Sequence, residues 1–154
     1  MSFNLDLIRS WKKVFESDLE NIAIELKDTI EKSSVIILSG DVGAGKTTFT
    51  KSFISSDDQT ASPTYSLVNE IGKCVHADLY RLDEPEEIIH LELNLYLEDK
   101  EYFLVEWGED YLDHLYREIN EQFNFYVLRL SINDSNSDEE VSSRDFNLHK
   151  VSFI

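Results

Sequence analysis

The sequence predicts an α/β fold with a mixed central sheet, an inserted antiparallel hairpin and flanking helices. Three consecutive features carry that expectation. Val35-Ile36-Ile37-Leu38 is a continuous apolar run rich in β-branched residues, the pattern of a strand buried on both faces of a parallel sheet. Gly40-Asp41-Val42-Gly43-Ala44-Gly45-Lys46-Thr47 follows at once and fits GxxxxGK[ST], a P-loop in which backbone N–H groups wrap phosphate oxygens. Thr48 to Ile54 can then continue as a helix, with Phe49 and Phe53 on one face. Strand, glycine loop and helix stand in the order that phosphate binding requires, so a P-loop NTPase-like domain is expected.

Residues 1–154 are read as one such domain, long enough to bury roughly 68–70% of the surface of the unfolded chain. Hydrophobic residues make up 42% of it, and no apolar run approaches the roughly 18 residues of a membrane span. The first ten residues lack the basic start and long apolar segment of a signal peptide. Cys74 is the single cysteine and can form no internal disulfide, which fits a reducing, cytoplasmic setting. With 14 Lys and Arg against 31 Asp and Glu, the net charge of −17 repels a phosphate backbone. Direct nucleic-acid binding is therefore disfavoured; the acidity serves either solubility or a basic partner protein.

Taken in order, Trp11 to Phe15 reads as a short strand. Ser17-Asp18-Leu19-Glu20 fits a capping box, and Leu19, Ile22, Ala23, Leu26 and Ile30 then share one face of a helix from about 18 to 32. After the P-loop helix, the polar segment Ser55 to Thr60 leads to Ser62-Pro63-Thr64-Tyr65. Pro63 stiffens that loop, which either folds over the γ-phosphate side as switch segments do or is an ordinary proline turn.

Ser66 to Ile71 and Cys74 to Tyr80 flank Gly72-Lys73, a two-residue turn of the kind that closes a hairpin. Alternation puts His76, Asp78 and Tyr80 on one face of its second strand, an arrangement that is either merely solvated or part of the site. Asp83-Glu84-Pro85 reads as a helix start with Asp83 as the cap. The leucines from Leu91 to Leu97 alternate like a strand, but the glutamates among them favour short helical turns. Glu101 to Val105 is an apolar strand that delivers Glu106 at its carboxyl end, where an acid can reach a metal held by the P-loop threonine. Tyr111 to Arg117 reads as a helix. Tyr126, Leu128, Leu130 and Ile132 read as a half-buried strand, Asn133 to Ser143 as an acidic, serine-rich segment, and Phe146 with Leu148 as a closing strand.

Taken together, Gly40 to Thr48, Ser62-Pro63-Thr64-Tyr65-Ser66-Leu67-Val68-Asn69-Glu70, His76-Ala77-Asp78-Leu79-Tyr80-Arg81-Leu82 and Glu106-Trp107-Gly108-Glu109 resemble one family. It is TsaE (YjeE), the bacterial ATPase required for the threonylcarbamoyl modification of tRNA, and the likeness runs from about residue 17 to 110. The resemblance implies a compact domain that binds ATP and Mg²⁺ and works with the TsaB and TsaD proteins. TsaD transfers the threonylcarbamoyl group to adenosine 37 of tRNAs reading codons that begin with A, so this chain would meet tRNA only through the complex. Gly108 departs from the proline more common in the family, Asn94 from a glycine and Ile71 from an aromatic residue; none of the three carries a phosphate or metal group.

The candidate roles follow from phosphoryl-transfer chemistry, in which positioning and charge stabilisation dominate. Lys46 neutralises the β/γ-oxygens, and the loop from Asp41 through Val42, Gly43, Ala44, Gly45 and Thr47 to Thr48 cradles the phosphates. Thr47 ligates Mg²⁺, and Glu106 is either a second metal contact or the base that orients water. Asp78 and Thr64 complete the polar ring. Trp107 packs against the nucleotide, a partner or the core. A GTPase would need an NKxD-type segment, which is absent from the sequence. A small-molecule kinase would need lid arginines, and of Arg9, Arg81, Arg117, Arg129 and Arg144 only Arg81 lies near the motifs in sequence. A nucleotide-sensing assembly subunit is the non-catalytic alternative.

Overall fold

The computed structural model describes residues 2–55, 67–119, 122–133 and 142–154. In chain order the elements are β1 (Phe3–Val14), α1 (Leu19–Thr29), β2 (Ser34–Ser39), α2 (Lys46–Ser55), β3 (Val68–Ile71), β4 (Cys74–Asp78), α3 (Glu87–His90), α4 (Leu93–Leu97), β5 (Tyr102–Glu106), α5 (Leu112–Ile119), β6 (Asn124–Ile132) and β7 (Arg144–Phe153). The strands form one seven-stranded sheet in the order β1-β7-β6-β2-β5-β4-β3. β2 lies parallel to both β6 and β5, and β5 parallel to β4. Antiparallel pairs close both margins, the β3–β4 hairpin on one side and β6–β7–β1 on the other.

The apolar run from Val35 to Leu38 explains the layering. Ile36 and Leu38 face α1 and α2, where they join Leu26, Phe49 and Phe53; Val35 and Ile37 face α3, α4 and α5, where they join Ile88, Leu97 and Leu115. A strand apolar on both faces needs cover on both, and the helices provide it. The parallel register sets Leu38 and Asp78 on either side of Glu106. The carboxyl ends of β2, β4 and β5 thus form one rim, and the glycine loop springs from it.

Several local expectations need correction. The N-terminal strand runs from Phe3 rather than Trp11, because it pairs with β7 along most of its length, from Phe3 opposite Phe153 to Val14 opposite Arg144. The expected capping box does not form at Ser17, which lies within a short 3₁₀ turn; two residues earlier the Asp18 carboxylate accepts the Phe15 N–H at 2.9 Å, the one half of such a box that a phenylalanine cap allows. α1 stops at Thr29 because Ile30 turns to extended geometry. Asp83 is no cap; its N–H and that of Glu84 donate to the Glu87 carboxylate at 2.8 and 3.2 Å, leaving α3 a single turn. β6 is buried on both faces in its first half, because Tyr126 and Leu128 join the side covered by α1 and α2 while Phe125 and Val127 join the side covered by α3, α4 and α5. The hairpin turn at Gly72-Lys73 and the helical reading of Leu93–Leu97 agree with the fold. Thr64 and the loop around Pro63 lie outside the described residues, as does most of the acidic serine-rich segment.

Candidate functional site

The glycine loop leaves β2 at Gly40, whose φ of +149° and surroundings leave no room for a side chain. A Cβ there would sit 2.5 Å from the Leu130 carbonyl oxygen. Gly43 and Gly45 also have positive φ, 87° and 103°, but a Cβ at either would meet nothing within 4 Å. Successive backbone amides in such conformations form an anion-binding concavity, and the space beside them is open. The Ala44 N–H closes a tight turn onto the Asp41 carbonyl at 3.0 Å, and Phe49 N–H to Gly45 O at 2.9 Å begins α2. Asp41, Val42, Gly43, Thr47 and Thr48 are exposed, so a ligand can reach the loop.

Lys46 opens α2 with its side chain folded back on its own loop. Its Nζ donates to the Gly40 carbonyl and, at 3.4 Å, to that of Asp41, and lies 3.8 Å from the centre of the Trp107 ring. Burial pulls its pKa below the ordinary lysine value, against the opposing pull of the Glu106, Asp41 and Asp78 charges.

Glu106 ends β5 and is 3% exposed. Its two oxygens are both engaged: Oε1 accepts from Thr47 Oγ1 at 2.8 Å, and Oε2 lies 2.7 Å from His76 Nε2. Burial pushes the carboxyl up, but the bonds from His76 and Thr47 and the charges of His76 and Lys46 outweigh it and hold the group below its usual range. The sequence-predicted pair Thr47 and Glu106 is therefore brought together.

Asp78 reaches the same rim as the register partner of Glu106, and its carboxylate accepts the Tyr80 N–H at 3.0 Å. It acts on Lys46 through charge; no hydrogen bond joins it to Lys46, Thr47 or Glu106 among the described residues. Tyr80 leaves the strand face for a 3₁₀ turn and packs on Trp107, ring centres 5.1 Å apart. Trp107 holds a left-handed φ of 60°, which turns its ring over Lys46 rather than into the core.

Three residues carry more than the sequence reading assigned. His76 shares the predicted face but had no role; its bond to Glu106 follows from the parallel register of β4 and β5. The Glu109 carboxylate accepts from Ser39 Oγ and Arg129 Nη2, tying the turn after Glu106 to the strand that leads into the loop. Arg144 of β7 donates to the Gly43 and Ala44 carbonyls, each at 3.1 Å, so Arg81, which is exposed, is not the arginine nearest the phosphate loop.

Residues 15–145 match the family model described as Threonylcarbamoyl adenosine biosynthesis protein TsaE. The chain belongs to the TsaE family. A tRNA threonylcarbamoyladenosine biosynthesis protein TsaE from Nostoc sp. is 37% identical over 123 residues, covering 71% of this chain and 75% of that protein. The TsaE protein of Bacillus subtilis is 33% identical over 136 residues, covering 84% of this chain and 80% of that one. The crystal structure of Bacillus subtilis YdiB superposes with a TM-score of 0.60 at 25% identity, over 98% of this chain and 90% of that chain. TsaE membership makes this a P-loop ATPase-like protein. No helix of the described residues is long and apolar enough to cross a membrane.

Proposed function

We propose that this TsaE-family chain binds and hydrolyses ATP with Mg²⁺ to support threonylcarbamoyladenosine synthesis at position 37 of tRNAs reading codons that begin with A, acting with TsaB and TsaD. The reading treats residues 1–154 as one cytoplasmic ATPase domain. It is carried by the 2.8 Å bond between Thr47 and Glu106, which joins the first turn of the P-loop helix to the end of an apolar strand. A hydroxyl and a carboxylate so placed are the two protein oxygens a magnesium ion takes beside nucleotide phosphates and water.

In this reading the amides from Val42 to Thr48 hold the phosphates, and Lys46 swings from the Gly40 carbonyl to the β/γ-oxygens. Thr47 and Glu106 would hold the ion, which supplies charge neutralisation of the transferring phosphoryl group. His76 fixes the second oxygen of Glu106, so the carboxylate keeps one orientation whether it contacts the metal or orients the attacking water. Asp78 adds negative charge on the metal side, and Thr64 is assigned there from the sequence, as part of the Pro63 loop that follows the P-loop helix. A lysine engaged with its own loop and a tryptophan supports low turnover in isolation and stimulation by partners. The net charge of −17 supports contact with tRNA only through the complex.

Phosphate release and nucleotide titration, compared between wild type and Glu106→Gln, test the assignment. Retained ATP affinity with lost hydrolysis supports it; unchanged hydrolysis overturns it. Loss of affinity alone would make Glu106 a metal anchor rather than a water-orienting group.

A further inference from the structure

Arg144 begins β7, separated from the P-loop strand by β6, yet its guanidinium is spent on main-chain carbonyls. Nε donates to Ala44 O and Nη2 to Gly43 O, each at 3.1 Å; Nη1 donates to Ser142 O at 2.9 Å and Ser143 O at 3.3 Å. We infer that Arg144 is a positioning residue for phosphate binding, which holds the glycine loop in its receiving shape from two strands away in the sheet.

Peptide geometry shows how. In a planar trans peptide the carbonyl and the N–H point to opposite sides. Fixing the Ala44 carbonyl on Arg144 therefore aims the Gly45 N–H away from the guanidinium, toward the concave side of the loop. Fixing the Gly43 carbonyl aims the Ala44 N–H at Asp41 O, where it closes the turn. Gly43 and Gly45 have the widest conformational choice of any residue type and Val42 is 80% exposed, so the Arg144 bonds add to the Lys46 bonds and the Ala44 turn in ordering the loop. An unbraced loop would have to be ordered by the nucleotide at the moment of binding, which lowers apparent affinity.

The base of the brace is itself anchored. Asp145, the next residue, accepts from the Lys13 N–H at 3.0 Å and from Asn133 Nδ2 at 2.8 Å, with Lys12 at 3.6 Å. Two neighbouring carbonyls met by Nε and Nη2 call for the planar fork of arginine, which a lysine ammonium cannot reproduce. Four of its five N–H donors go to carbonyls, so the role assigned to Arg144 is in shaping the loop for nucleotide binding rather than in contacting the reacting phosphate. The inference rests on the P-loop reading proposed above.

The test titrates ATP into wild type, Arg144→Lys and Arg144→Ala full-length chains and measures turnover at saturating ATP. Both variants are expected to bind ATP about tenfold or more weakly, with saturated turnover within about twofold of wild type. Hydrogen exchange at the Gly43 to Gly45 amides of the unliganded variants is expected to rise while the β2 core stays protected. Arg144→Lys keeps the charge and the aliphatic stem, so it decides the matter if Arg144→Ala does not fold. Wild-type affinity in a folded variant, or lost turnover at unchanged affinity, overturns the inference. A wild-type chain that binds no ATP, and so equals Lys46→Ala, overturns the P-loop reading together with it.

Discussion

Thr47 and Glu106 stand 59 positions apart in the chain, and the threonine hydroxyl donates to the carboxylate at 2.8 Å. The bond connects the helix that starts at the glycine loop to the strand beside the loop's own. It is the seam at which phosphate binding and metal binding meet in the proposed mechanism.

Substitution on the loop side of that seam should separate chemistry from folding. Lys46→Ala and Thr47→Ala are expected to lose at least about 100-fold in ATP turnover, the scale on which single charge-stabilising groups act. Thr47 is exposed, and among the described residues Lys46 hydrogen-bonds only to the Gly40 and Asp41 carbonyls of its own loop, so both variants should keep a cooperative thermal transition. Phosphate release and a melting curve check this; hydrolysis retained in both variants would sink the P-loop assignment.

Acid should loosen the same region. Glu106 and Glu109 are both held below the ordinary glutamate value of 4.5, since hydrogen bonds and nearby positive charge outweigh burial in each. A depressed carboxyl contributes stability that is present above its unfolded pKa and lost as the pH falls through its folded one. The melting temperature is therefore expected to fall as the pH drops below about 4.5. Glu106→Gln combined with Glu109→Gln should flatten that fall, and an unaltered slope would remove these two groups from the explanation.

Trp107 should report nucleotide. Its ring lies 3.8 Å from Lys46 Nζ, and the proposed mechanism moves that ammonium to the phosphates. Trp11 is shielded from the event, buried and donating its Nε1–H to Glu25 at 2.9 Å. Tryptophan emission is expected to change on ATP addition in wild type and in Trp11→Phe, and to stay constant in Trp107→Phe. A signal that survives Trp107→Phe would place the lysine's movement elsewhere.

What the sequence revealed was contiguous. Val35 to Leu38, the loop and α2 are legible because a buried strand, a set of glycines and a helix face are each written in neighbouring residues. Glu106 is legible because it ends an apolar run. The bond from His76 was not, since it depends on β4 and β5 pairing with Asp78 opposite Glu106, and no spacing encodes that register. Arg144 meets Ala44 across 100 positions, and nothing near either residue marks the contact. β1 was underestimated for the same reason, because its first residues become a strand by pairing with the last residues of β7. The misplaced cap has a local cause: Phe15 is extended and offers its N–H to Asp18, which leaves Ser17 in the turn rather than at its start.

The most direct test of the central claim is nucleoside analysis of tRNA from cells depleted of this protein and supplied with either the wild-type chain or Thr47→Ala. The account predicts that threonylcarbamoyladenosine is lost on depletion, restored by the wild type and not restored by Thr47→Ala. Unchanged threonylcarbamoyladenosine after depletion, or full restoration by Thr47→Ala, would contradict it.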